Sequence, residues 1–132
     1  MIVVDTSALY AILSDETEAE TFKRILSVEV GICLSAPTWV EAVMVCRSRL
    51  PHGLERLERL ASVLSMERQA FDARQADLAA EAFRRYGRGS GHPARLNFGD
   101  CFSYALARSL DAALLYKGDD FVHTDIRSAV QP

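Results

Sequence analysis

Short apolar runs alternate with longer amphipathic segments along this chain, and that alternation limits its possible folds more than any other feature. Runs of strand length occur at residues 2–4, 32–34 and 113–116. The segments between them space their apolar residues three or four apart, as amphipathic helices do. Strands that alternate with helices pair in parallel, and the helices cover both faces of the sheet. The sequence therefore predicts an α/β fold, a three-layer α/β/α sandwich around a small central parallel sheet.

Six helices are predicted from apolar spacing and from residues that favour helix ends. They cover approximately residues 6–14, 16–28, 35–50, 54–64, 72–86 and 98–110. Thr6 or Ser7 is a candidate cap for the first helix, and Asn97 is a candidate cap for the last. Residues 63–66 and 126–130 are candidates for a third strand and a short edge strand.

Length and composition indicate one folded domain over residues 1–132. The chain has 132 residues, of which 49% are apolar, and a net charge of −3. This length suits a single core. No apolar run is long enough to cross a bilayer, and the N-terminus lacks a signal peptide pattern, so we expect a cytoplasmic protein without membrane contact. The three cysteines include no Cys-x-x-Cys pair and indicate neither a disulfide framework nor a zinc site.

Basic residues are concentrated in one stretch of this acidic chain. Residues 82–99 contain no acid but hold Arg84, Arg85, Arg88, His92 and Arg95. Arginine binds phosphate through two parallel hydrogen bonds, so this stretch is a candidate guide for a nucleic-acid backbone. A solvated helix end and loop explains the same residues equally well.

Three carboxylates, Asp5, Glu41 and Asp100, are each the only charged residue in an apolar stretch of at least 12 residues. Asp5 follows the first predicted strand, whereas Glu41 and Asp100 lie near the starts of predicted helices. Asp119 and Asp120 follow a later strand. Because the carboxyl ends of parallel strands share one edge of a sheet, we expect these acids to converge there.

Clustered carboxylates repel one another unless a cation neutralises them. Oxygen ligands without histidine or cysteine favour Mg²⁺, and Mn²⁺ is also suitable. Taken singly, each acid has a structural explanation: Asp5 as a helix cap, Glu41 paired with an arginine, Asp100 as a partner of the helix dipole, Asp119 and Asp120 as turn residues. The combination of the isolated acids is what indicates a metal site.

Four stretches around these acids share their order and spacing with a known family. They are residues 2–9 (IVVDTSAL), 35–42 (SAPTWVEA), 96–107 (LNFGDCFSYALA) and 114–121 (LLYKGDDF), and they extend over almost the whole chain. In these stretches the sequence resembles the PIN-domain ribonucleases, and within that family the VapC-type toxins of bacterial toxin–antitoxin pairs.

The resemblance implies a metal-dependent endoribonuclease that hydrolyses RNA phosphodiester bonds. It implies four catalytic acids, Asp5, Glu41, Asp100 and Asp119, with Asp120 as the alternative for the fourth. It makes Asp5 and Asp100 the ligands of Mg²⁺, or of Mn²⁺ in its place. The hydroxyl of Thr6 or Ser7 matches a polar position that supports the site.

The same resemblance implies three partners: an RNA substrate, a cognate VapB-type antitoxin, and a second copy of the chain in a homodimer. Trp39 is a candidate residue of the partner surface, and a place in the core explains it at least as well. The alternative function is a catalytically silent PIN-like binding module. RNA cleavage that disappears in Asp5→Asn would separate the two functions.

Overall fold

A computed structural model describes residues 1–130 as a central sheet with helices on both faces. The sheet has four strands: β1 (Ile2–Val4), β2 (Ile32–Ser35), β3 (Glu67–Gln69) and β4 (Ala113–Leu115). All neighbouring strands are parallel, and their order across the sheet is β3-β2-β1-β4. The predicted α/β/α sandwich around a small parallel sheet is confirmed.

The helices within residues 1–130 are α1 (Thr6–Leu13), α2 (Ala19–Val28), α3 (Ala36–Arg49), α4 (Gly53–Val63), α5 (Ala73–Tyr86) and α6 (Phe98–Leu110). They divide between two apolar cores because successive residues of a strand point to opposite faces of the sheet. Ile2 and Val4 of β1 pack with α1, α2, α3 and α4 on one face. Val3 packs with α5 and α6 on the other.

Trp39 of α3 belongs to the first of these cores. Only 9% of the residue is exposed. The guanidinium carbon of Arg68 lies 4.0 Å from the centre of its ring and covers it. Of the two interpretations that the sequence allows, the structure therefore supports a core residue and not a partner surface.

Three features differ from the prediction by more than one residue: the start of a helix and two strands. Helix α2 begins at Ala19 and not near residue 16. The third strand is β3 and not residues 63–66, because α4 continues through Val63 and the edge strand that follows has polar, largely exposed side chains without an apolar signal. In place of a strand over residues 126–130, Ser128 forms a single parallel bridge to Leu114.

The parallel arrangement decides where a site can form. Asp5 follows β1 directly, Ser35 ends β2 and precedes α3, and Lys117 follows β4 closely. These chain segments therefore emerge at the same edge of the sheet, where open α/β sheets bind their ligands. Within residues 1–130, no helix combines the length and the apolar character needed to cross a membrane.

Candidate active site

A pocket of about 450 Å³ opens at this carboxyl edge, between the N-terminal half of α1, the α3 segment from Glu41 to Arg49 and the start of α6. Asp5, Glu41, Asp100 and Asp120 all line it. The first three are the isolated carboxylates of the sequence, so the structure brings these three together as expected, with Asp120 beside them.

Asp5 is buried, and hydroxyl and amide groups hold both oxygens of its carboxylate. Oδ2 accepts hydrogen bonds from the Ser7 amide at 3.0 Å and from the Ser7 hydroxyl at 2.6 Å. Oδ1 accepts from the hydroxyl of Ser103, at 2.6 Å. Asp5 is also the N-cap of α1, a place the sequence analysis gave to Thr6 or Ser7. Asp5 therefore both caps α1 and lines the pocket.

Glu41 reaches the pocket from the second turn of α3. Its Oε1 accepts a hydrogen bond from the Thr6 hydroxyl at 2.6 Å. Its other oxygen lies against Gly99 on α6, where a β-carbon would overlap it. Thus Thr6 orients this carboxylate, and the missing side chain at Gly99 leaves the space that it occupies.

Asp100 is held by a capping box at the start of α6. The Asn97 side chain accepts a hydrogen bond from the Asp100 amide at 2.9 Å, and Asp100 Oδ2 accepts one from the Asn97 amide at 3.0 Å. The pKa of the Asp100 carboxyl rises from 3.8 to about 7, chiefly because the group is buried. The negative charges of Asp5 and Asp120 contribute to this rise, whereas the hydrogen bond from the Asn97 amide opposes it. The pocket thus concentrates negative charge on partly dehydrated groups.

Of the two candidates for the fourth acid, Asp119 and Asp120, the structure places only Asp120 at the pocket. Asp120 lines the pocket and lies close enough to Asp100 to raise its pKa. Asp119 is exposed and is not among the residues that line the pocket. The turn through Gly118, which has a φ of +104°, precedes both residues, so their orientation depends on loop geometry and not on the order of residues after the strand.

The basic side chains at the pocket come from outside the arginine-rich stretch. Arg49 and Lys117 line it, whereas no residue of 82–96 does. Within the stretch, Arg84 pairs with Glu81 on the exposed face of α5. The solvated helix end is therefore the interpretation that this geometry supports.

The PIN domain profile matches residues 2–127 of the chain. The chain belongs to the PIN-domain family. Ribonuclease VapC42 of Mycobacterium tuberculosis (strain ATCC 25618 / H37Rv) is 48% identical over 129 residues, which cover 97% of this chain and 98% of that protein. Ribonuclease VapC30 of the same strain is 42% identical over 133 residues, which cover 99% and 100%.

Solved structures with the same PIN fold include one of VapC20 from Mycobacterium tuberculosis, described as a sarcin-ricin loop cleaving toxin. It matches with a TM-score of 0.73 and 20% identity, over 100% of both chains. A toxin–antitoxin complex from Klebsiella pneumoniae matches with a TM-score of 0.72 and 17% identity, also over 100% of both chains. The fold is therefore shared along the whole chain even where the sequence has diverged.

The oxygen atoms of this PIN-domain pocket suit a hard divalent cation. Within the part of the chain that the structure describes, no three acidic, histidine or cysteine side chains are close enough to hold a metal ion by themselves. Mg²⁺ characteristically takes one or two carboxylates and completes its shell with water and substrate phosphate. The pair Asp5 and Asp100, whose charges interact across the pocket, matches that requirement.

Ser103 and Gly99 are two residues of the PIN-domain site to which the sequence analysis assigned no role. Ser103 is fully buried and donates to Asp5 across 98 positions of the chain. The available signal was its position three residues after Asp100, on the same face of an otherwise apolar helix. Gly99 offered no comparable signal, because its role depends on the close approach of Glu41 from another helix.

Proposed function

We propose that this chain is a Mg²⁺-dependent endoribonuclease and the toxin of a toxin–antitoxin pair. The observation that carries the proposal is the convergence of the three isolated acids, Asp5, Glu41 and Asp100, in one pocket of a PIN domain. Relatives that are 42–48% identical over nearly the full chain are named VapC ribonucleases, which supports the same activity here.

In this proposal Asp5 and Asp100 hold Mg²⁺, and Mn²⁺ would suit the same oxygen ligands. When bound there, such a cation polarises a phosphodiester and lowers the pKa of a bound water. Ser7 and Ser103 keep the Asp5 carboxylate in one orientation through their hydroxyl groups. The capping box does the same for Asp100.

Glu41 has a different part in the reaction. Thr6 holds one of its oxygens by a hydrogen bond, and the second oxygen lies over the N-terminal turn of α6. We assign to Glu41 the orientation of the water that attacks phosphorus, since a carboxylate held in one position can accept a hydrogen bond from that water. Asp120 is our choice for the fourth acid, and its position beside Asp100 supports this choice.

The proposed partners are a VapB-type antitoxin and a second copy of the chain. The solved neighbours include a toxin–antitoxin complex from Klebsiella pneumoniae and VapBC2 from Rickettsia felis bound to a promoter DNA fragment. For the homodimer we propose an apolar groove of about 950 Å³, lined by residues that include Val40, Met44, Phe71, Phe98 and Phe102. Several large apolar side chains that are exposed side by side are characteristic of a protein interface.

Induced expression with a growth assay and electrophoresis of total RNA tests the activity. We expect wild type to arrest growth and to produce discrete RNA fragments. Asp5→Asn and Asp100→Asn should restore growth and leave the RNA intact, because each removes a carboxylate that the reaction needs. Asp120→Asn should weaken cleavage, and Asp119→Asn is its matched control with an exposed side chain.

Purified protein tests the role of the metal. We expect RNA cleavage in buffer with Mg²⁺, none with EDTA, and recovery when Mg²⁺ is restored. Cleavage that persists in EDTA, or in Asp5→Asn, contradicts the proposed mechanism. Equal growth and intact RNA in all cultures, at equal levels of folded protein, would favour the silent binding module.

A further inference from the structure

The pocket extends beyond the acids as a trough between α1 and α3, and Arg49 lies along it. Glu41, Val45 and Arg49 follow one another at intervals of four residues on α3, and all three line the pocket. Eight residues of α-helix separate Glu41 from Arg49, which corresponds to about 12 Å along the helix axis. If a polymer binds in this pocket, the part of it that contacts Arg49 therefore differs from the part that lies at the acids.

Arg49 and Lys117 are the basic residues that line the pocket, and they differ in their ion pairs. The Lys117 ammonium group pairs with Glu16 and Glu18. Within residues 1–130, Arg49 forms no ion pair, and its guanidinium carbon lies 5.7 Å from the centre of the Tyr10 ring. The Tyr10 ring restricts the guanidinium without neutralising its charge, so Arg49 remains available to an anion.

A helix dipole alone does not explain this arrangement. Arg47 and Arg49 both lie in the last turn of α3, where a positive charge is favourable at either position. Both side chains are exposed, yet only Arg49 lines the pocket. The two arginines therefore form a matched pair, alike in helix position and charge and different in what they face.

We propose that Arg49 binds a backbone phosphate of single-stranded RNA, at a nucleotide other than the one whose phosphate lies at the acids. The inference rests on the proposed function, since it names a subsite for the same substrate. A strand that enters an acidic pocket needs cationic contacts beside it, and phosphate contacts set the register of the strand. The planar guanidinium suits this role because it can donate two parallel hydrogen bonds to one phosphate.

Binding of a fluorescently labelled, random-sequence, single-stranded RNA pool tests the subsite. Anisotropy titrations over a series of NaCl concentrations, with Mg²⁺ present, would use Asp100→Asn protein so that the RNA stays intact. In this background we compare Arg49→Gln, Arg49→Lys and Arg47→Gln. Both substituted arginines are exposed, and circular dichroism verifies that each variant is folded.

We expect Arg49→Gln to lower the affinity about 5-fold near 0.1 M salt and to reduce the slope of log affinity against log salt by about 0.7, the value for one phosphate on a single strand. Arg49→Lys should retain most of that slope because it keeps the charge. Arg47→Gln should leave affinity and slope close to those of the parent.

Two results would overturn the subsite: a slope that Arg49→Gln leaves unchanged, or equal losses in Arg47→Gln and Arg49→Gln, which would indicate only a general surface charge effect. Cleavage of RNA by the unmodified protein, measured alongside, separates this failure from failure of the proposed function. Where the unmodified protein cleaves RNA and the slope does not change, the subsite alone is wrong. Where it neither cleaves nor binds RNA, both proposals fail.

Discussion

At the scale of single residues, the acids of the pocket differ in what holds them. Asp5 is held by two serine hydroxyls and an amide, and Glu41 by one threonine hydroxyl together with the open space at Gly99. Hydrogen bonds to a charged group are each worth about 1.5–3 kcal/mol, so these neighbours restrict the carboxylates strongly. Substitutions that leave the acids in place should therefore still alter the site.

The Gly99→Ala substitution tests whether a neighbour of the acids controls the site. The new β-carbon would overlap the end of the flexible Glu41 side chain, so we expect the carboxylate to move away from Thr6 while the fold persists. Alanine favours helix over glycine by up to about 1 kcal/mol, which offsets part of the lost Thr6–Glu41 hydrogen bond, so urea unfolding should show a stability lowered by no more than about 2 kcal/mol. Cleavage should nevertheless fall about 10- to 100-fold, as expected when a reacting group is misplaced. Wild-type cleavage rates in this variant would contradict the role given to Gly99.

At the scale of elements, the first turn of α6 joins two opposing influences on Asp100. The capping box and the start of the helix favour the ionised carboxylate. Burial and the charges of Asp5 and Asp120 favour the protonated form and prevail, which is why the pKa rises. An acid whose pKa is higher in the folded state than in the unfolded chain destabilises the fold once it ionises.

The raised pKa of Asp100 gives a prediction for the stability of the metal-free protein. Between an unfolded-state pKa of about 3.9 and the folded-state value of about 7, the folded protein binds more protons than the unfolded chain. The contribution of Asp100 to the free energy of unfolding should therefore decrease as pH rises from 5 to 8, by about 2 kcal/mol after allowance for solvent screening.

Urea unfolding in EDTA at several pH values measures this contribution as the difference between wild type and Asp100→Asn. The asparagine variant cannot ionise at this position, so it should lack this part of the pH dependence. If the free energies of unfolding of the two proteins change in parallel over this pH range, Asp100 does not titrate as the structure indicates.

At the scale of the whole molecule, folding leaves an apolar groove of about 950 Å³ exposed beside the site. Phe98 is 78% exposed and Met44 64% exposed, although both lie on helices whose other faces are buried. A second copy of the chain that covers this groove would remove such surface from water and would place two acidic pockets close to one interface.

Met44→Glu tests the groove as the dimer surface. A carboxylate at this position would be buried without a partner in the dimer, so we expect sedimentation equilibrium to show a monomer. Val28→Glu is the matched control, because Val28 is 80% exposed on α2 and does not line the groove. Wild type that sediments as a monomer, or a dimer that Met44→Glu does not affect, would rule out this surface.

Local chemistry made several features predictable from the sequence. The β-branched run before Asp5 identified β1, and the proline and glycine residues between apolar segments placed α3 and α4 to within a few residues. Asn97 identified the start of α6 because its side chain caps the residues next to it in sequence. The polar strand β3 was placed wrongly, since an edge strand buries too little to leave an apolar pattern.

By itself the sequence determined the α/β class, the parallel sheet and the three isolated acids, since these depend on periodicity and on the cost of burying an unpaired charge. Only the tertiary structure decided which side chains meet them. It brought Ser103 to Asp5 and Gly99 to Glu41, and it placed Asp120 at the pocket where Asp119 had been preferred. The physical reason is that contacts between distant segments, and the direction of a loop after a left-handed glycine, depend on how helices pack and not on neighbouring residues.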